Sequence, residues 1–67
     1  MTKEQLHLKN EAMFKNTTSN QVCVNYINDM GVSGTLFKTK EQITECIDRE
    51  DVKTSFTDGI FLFDWRK

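Results

Sequence analysis

Val52-Lys53-Thr54-Ser55-Phe56-Thr57-Asp58-Gly59-Ile60-Phe61-Leu62-Phe63-Asp64-Trp65 is the stretch on which the fold turns. Asp-Gly between two apolar-rich runs is among the strongest short hairpin signals, because a two-residue turn needs residues that tolerate positive φ. The spacing therefore predicts a strand over 52–56, a turn at 57–59 and a final strand from Ile60. Side chains alternate along a strand, so Ile60 and Leu62 point one way while Phe61, Phe63 and Trp65 point the other. Both faces are apolar, and a strand in a two-layer domain needs only one apolar face. One reading is that helices cover both sides of the sheet, or that the sheet curls around this strand. The other is that a second subunit or a target protein covers the aromatic side. Aromatic side chains are enriched at interface hot spots, which makes Phe61, Phe63 and Trp65 the expected partner anchors.

Immediately upstream lies the clearest helix, expected from Lys40 to about Glu50. Thr39 and Gln42 have capping-box spacing, in which each side chain bonds the other residue's backbone N–H. Ile43, Cys46 and Ile47 form an i, i+3, i+4 apolar stripe. Glu41, Glu45 and Asp48 fall on the opposite face, and Lys40 to Asp51 carries a net charge of −3. That row is either an ordinary solvated face or a docking surface for a basic partner. Complementary charge of this kind mainly speeds association and selects partners.

Further back, Val22, Val24 and Tyr26 alternate within Gln21–Ile27, a strand signal. Asn28-Asp29-Met30-Gly31 supplies a turn, and a second strand runs from Val32 to Lys38. It is interrupted by Gly34, the mark of a bulge or a close backbone approach. Residues 16–20, Asn-Thr-Thr-Ser-Asn, read as a loop. Residues 2–15 can form a helix opened by a Thr2–Gln5 capping box, with Leu6, Met13 and Phe14 on one side. Leu8 and Ala12 lie opposite them, and Gln5 to Lys9 also fits a short alternating strand.

The expected fold is therefore one small α+β domain over residues 1–67. It has an antiparallel sheet of three to four strands, the 40–50 helix on one face, and an N-terminal helix covering the other face or reaching a neighbour. The expected core is Val22, Val24, Leu36, Ile43, Ile47, Ile60 and Leu62.

Composition narrows the function. Sixty-seven residues with a net charge of −1 make a thin core, worth on the order of 3–5 kcal/mol beyond break-even. Small domains of this kind often gain burial by oligomerising or docking. No apolar run nears the roughly 18 residues of a membrane span, and Met1-Thr2-Lys3-Glu4-Gln5 lacks the apolar core of a signal peptide, so cytoplasmic residence is the expectation. Seven lysines against two arginines, abundant Asn, Thr and Ile and no proline fit an AT-rich genome and a phage or mobile-element product.

Chemistry-bearing residues are sparse. His7 stands alone, and with Cys23 and Cys46 it cannot build a four-ligand zinc site. Both cysteines read as buried small hydrophobes. Gly31-Val32-Ser33-Gly34 lacks the Lys-Ser/Thr end of a phosphate loop, and Asp58 is explained by its turn. No catalytic residue, metal, cofactor or small-molecule substrate is expected. The favoured reading is a non-enzymatic protein-interaction module that binds and regulates, by inhibition, a larger protein, with a protein partner or a homodimer as its assembly. The alternative is a small DNA-binding regulator whose 52–65 hairpin acts as a wing, with Lys53, Arg66 and Lys67 on phosphates. Its weakness is the acidic helix, and the charge balance lacks the basic patch usual in DNA-binding domains.

Overall fold

The computed structural model describes residues 1–49 and 52–66. Two helices and four strands follow in the order α1 (Lys3–Lys15), β1 (Gln21–Ile27), β2 (Ser33–Thr39), α2 (Lys40–Asp48), β3 (Lys53–Thr57) and β4 (Ile60–Asp64). The architecture is α+β, with the N-terminal helix present. The expected end of α2 at Glu50 lies outside the described residues, as do Asp51 and Lys67; the helix itself closes at Asp48, capped by Arg49.

Local chemistry accounts for most of these boundaries. Both helices open on the same reciprocal cap. The Gln5 and Gln42 backbone N–H groups donate to Thr2 and Thr39 Oγ1 at 3.2 Å, and the threonine N–H groups donate to the glutamine Oε1 atoms at 2.9 Å. Each pair satisfies two of the donors that a helix start leaves orphaned. Thr39 is also the last residue of β2, so the chain passes from strand to helix without a loop. Asp58 and Gly59 have φ of 53° and 78°, the doubly positive turn that matches the twist of a hairpin. At the other hairpin Asn28 Oδ1 accepts from the N–H groups of Met30 and Val32, and Gly31 has φ of 81°.

The strand order is β2-β1-β4-β3. β1–β2 and β3–β4 are antiparallel hairpins, but they join through a parallel pairing of β1 with β4, Asn25 against Leu62 and Tyr26 against Phe63. The sheet is thus mixed, where antiparallel pairing throughout was expected. The β1–β2 register runs unbroken, so Gly34 marks a close approach and no bulge. The Tyr26 ring lies where a Gly34 Cβ would stand.

The register decides which side is the core. Val24, Tyr26, Leu36, Thr54, Phe56, Phe61 and Phe63 share one face, and Leu6 of α1 with Ile43, Cys46 and Ile47 of α2 close over it in a single cluster. Both helices therefore lie on the same side of the sheet; α1 does not cover the far face. Phe61 and Phe63 are fully buried with Val24 and Ile43, while Ile60 and Leu62 turn away from the helices. This reverses the expected core for β4. One helical layer can cover one face, and burying two aromatic rings removes more apolar area than burying Ile60 and Leu62. The two helices are pinned by Asn10, also fully buried. Its Nδ2 donates to the Lys40 carbonyl at 3.3 Å and to Thr44 Oγ1 at 3.1 Å, and its Oδ1 has no hydrogen-bond partner among the described residues.

Candidate interaction surfaces

The uncovered side of the sheet is built by the strand residues of opposite parity. Phe37 and Cys23 face each other across β2 and β1, and continuing the β1–β4 register brings Ile60 into line with them. Phe37 keeps 65 % of its surface exposed and Ile60 39 %; Cys23 is exposed as well. The next row is Thr35, Asn25, Leu62 and Ser55, and the third ends on Ile27, Asp64 and Lys53. The bare face thus has an apolar end, Phe37–Cys23–Ile60 with Leu62 behind it, and a charged end. Exposed apolar groups gathered at one end of an uncovered sheet face make that end the candidate interaction surface.

Its charges compensate each other. Lys53 and Asp64 are cross-strand neighbours. Arg66 donates to Asp64 Oδ1 through its backbone N–H at 2.9 Å and its Nε at 3.3 Å. Those Arg66 hydrogen bonds, side chain first, hold the Asp64 carboxyl below the ordinary carboxylate range. Two of the three cations proposed for a DNA-binding wing, Lys53 and Arg66, therefore stand against a carboxylate, and Lys67 lies outside the described residues.

Of the expected anchors, Phe61 and Phe63 are core residues, stacked at 6.4 Å between ring centroids beneath the helices. They cannot meet a partner while the chain is folded. Trp65 sits half-buried at the sheet margin. Its backbone N–H donates to the Ile27 carbonyl at 2.9 Å, and its ring meets Tyr26 edge-on at 6.1 Å. The acidic row is exposed on α2 as Glu41, Glu45 and Asp48. Asp48 is engaged by the other helix: Oδ1 lies 2.9 Å from His7 Nε2, and its carbonyl accepts from Lys3 Nζ at 3.4 Å. The row that can meet a partner unhindered is reduced to Glu41 and Glu45.

Phe37 is the residue that sequence reasoning overlooked. Placing Leu36 in the core forces its neighbour Phe37 outward, so the signal lay in the parity of two adjacent apolar residues. A second apolar surface follows Leu8 and Ala12 along the outer side of α1, where open grooves also take in Met1 and Phe14.

Cys23 and Cys46 stand on opposite sides of the sheet, one exposed and one buried, and no disulfide joins them. Among the described residues no group of three or more His, Cys, Asp or Glu side chains is placed to hold a metal ion, and no helix is long and apolar enough to cross a membrane. No protein-family model matches the chain, and neither a curated protein nor a solved structure is significantly similar to it.

Proposed function

We propose that this chain is a non-enzymatic protein-interaction module that binds a larger protein and inhibits it, acting in the cytoplasm as an accessory factor or antitoxin of a phage or mobile element. The observation that carries the reading is the apolar end of the bare sheet face, with Phe37 at 65 % exposure at its edge. The helices spend their apolar stripe on the opposite face, so nothing within the described residues covers this one. In this reading Phe37, Ile60 and Leu62 are the anchors, Trp65 forms the margin, and Glu41 and Glu45 orient a basic neighbour. Anchoring by a few exposed apolar groups ringed by Thr, Ser and Asn follows the usual anatomy of an interface, an apolar centre within a polar rim.

The test is affinity capture from host cytoplasm with the native chain beside a Phe37→Asp/Ile60→Asp double variant. A protein retained by the native chain, lost with the folded variant and inhibited by the native chain once purified supports the reading. Equal retention by both forms, or binding without inhibition, defeats it.

A further inference from the structure

The β2 edge carries information beyond the face beside it. The Asn28 N–H donates to the Val32 carbonyl at 3.0 Å, and antiparallel pairs alternate between hydrogen-bonded and non-bonded. Gly34, Leu36 and Lys38 therefore turn their backbone groups toward β1, while Ser33, Thr35 and Phe37 turn theirs out to the open edge. The Ile27 carbonyl, which accepts from Trp65 on the far side of β1, agrees with this phase. Thr39, next in the outward series, closes it by giving its N–H to Gln42.

Natural edge strands are guarded by shortness, proline, bulges, charged side chains (lysine above all) or cover from a helix or loop. Both edge strands touch a helix, β2 touching α2 and β3 both α1 and α2, but β3 has only five residues and has Lys9 Nζ over its Phe56 ring at 5.6 Å. β2 has seven residues, no proline and no bulge. Its single charge and only guard, Lys38, stands near the end of the strand with Nζ over the Phe63 ring at 5.4 Å, beyond the outward set of Ser33, Thr35 and Phe37.

We infer that β2 pairs antiparallel with β2 of a second copy about a two-fold axis at Thr35, joining two sheets into one of eight strands. This goes beyond the reading above, and it rests on that reading only for the use to which the joined face is put. Three features select a second copy. The outward set 33, 35, 37 is symmetric about its own centre, so one two-fold satisfies all of it: Thr35 meets Thr35 of the mate, each Phe37 meets Ser33, and about six backbone hydrogen bonds form. Paired threonines are favourable cross-strand neighbours. The same two-fold sets Lys38, the one charge of β2, level with Val32 of the mate, so no like charges stand directly opposite along the paired edge. Edge pairing buries less than a standard interface, which places the dimer among weak, reversible ones. It also carries both apolar rows onto a single continuous face.

Light scattering from about 10 μM to 1 mM, a range that brackets weak affinities, tests the inference with Thr35→Lys and Thr35→Glu variants. Thr35 is exposed on the bare face, and circular dichroism checks the fold. The native chain is expected to dimerise. Each variant alone is expected to weaken the dimer about fivefold by setting like charges directly opposite, and an equimolar mixture of the two to restore it. A native monomer at every concentration, variants that dimerise unchanged, or a mixture that does not recover would each overturn the inference. Two readouts need no substitution. The Ser33, Thr35 and Phe37 amides should gain hydrogen-exchange protection with concentration. Cys23 should resist mild oxidation to a linked dimer, because three strand spacings, about 14 Å, separate the two β1 strands. Unprotected amides in the dimer, or rapid Cys23 linkage, would favour face-to-face stacking instead. A dimer without a target, or a target bound by a monomer, separates this inference from the proposed inhibition.

Discussion

Phe61 and Ile60 are neighbours in one strand, yet the first is wholly buried and the second keeps 39 % of its surface. The difference is not one of hydrophobicity. It comes from the supply of helix: α1 and α2 together make one roof, and the β1–β4 register places that roof over the parity holding Val24, Phe61 and Phe63. Among the described residues no further helix lies over the second apolar face. In β4 the larger side chains go inward and the remainder is left to solvent or to a partner, whereas in β2 the parity that turns Leu36 to the core leaves Phe37 outside.

Substitutions matched across the sheet can break that comparison. Phe61→Ala should cost about 3–5 kcal/mol, as much as a domain of this size has to lose, so urea titration should find it largely unfolded. A cost below about 1 kcal/mol would mean that the covered face is not the core. On the same side, Gly34→Ala would put a Cβ 2.6 Å from the Tyr26 hydroxyl. Overpacking of this kind costs about 1–3 kcal/mol, whereas Thr35→Ala, one residue away and facing out, should stay within about 0.5 kcal/mol. The roof can be loosened at its cap: Thr39→Ala should lower stability by about 1 kcal/mol, and an unchanged midpoint would show that the cap contributes nothing. On the bare face Leu62→Thr should shift stability by less than about 1 kcal/mol while improving solubility at high concentration; a core-sized loss there would erase the distinction between the faces. The smallest effect concerns Asp64. Its carboxyl is held below the ordinary value of 3.8 by Arg66, so its stabilisation is present above that value and fades as the pH falls through the lowered folded-state pKa. Native and Asp64→Asn stabilities should converge on acidification; a constant gap would remove the linkage.

Much of this architecture was legible in the residues themselves. Thr39 with Gln42, the Ile43–Cys46–Ile47 stripe and Asp58-Gly59 are local signals, and each sits where its chemistry requires. What stayed hidden is relational. Alternation along β4 separates two sets of side chains but does not say which set faces helix, because both are apolar. The parallel pairing of β1 with β4 depends on contacts between residues near 25 and near 62, for which no short motif exists. The candidate surface suffered from the same ambiguity. Reading the aromatic side as the exposed one placed Phe61 and Phe63 at an interface, and Phe37 went unnoticed although its parity followed from Leu36. His7 reads as solitary because Asp48 is 41 positions away.

The seam between β1 and β4 has a kinetic meaning as well. Each half of the chain runs helix, strand, strand, and its hairpin can zip locally on a microsecond scale. An isolated two-stranded hairpin is marginal in water, and neither half can bury Val24 or Phe61 until the other arrives. The slow event on the way to the native state is therefore the meeting of the two hairpins along their inner strands, a non-local closure of the sort that sets folding speed. A loosened seam would lengthen the time each newly made chain spends with both inner edges open, and it is in that interval that such a chain is most exposed to aggregation.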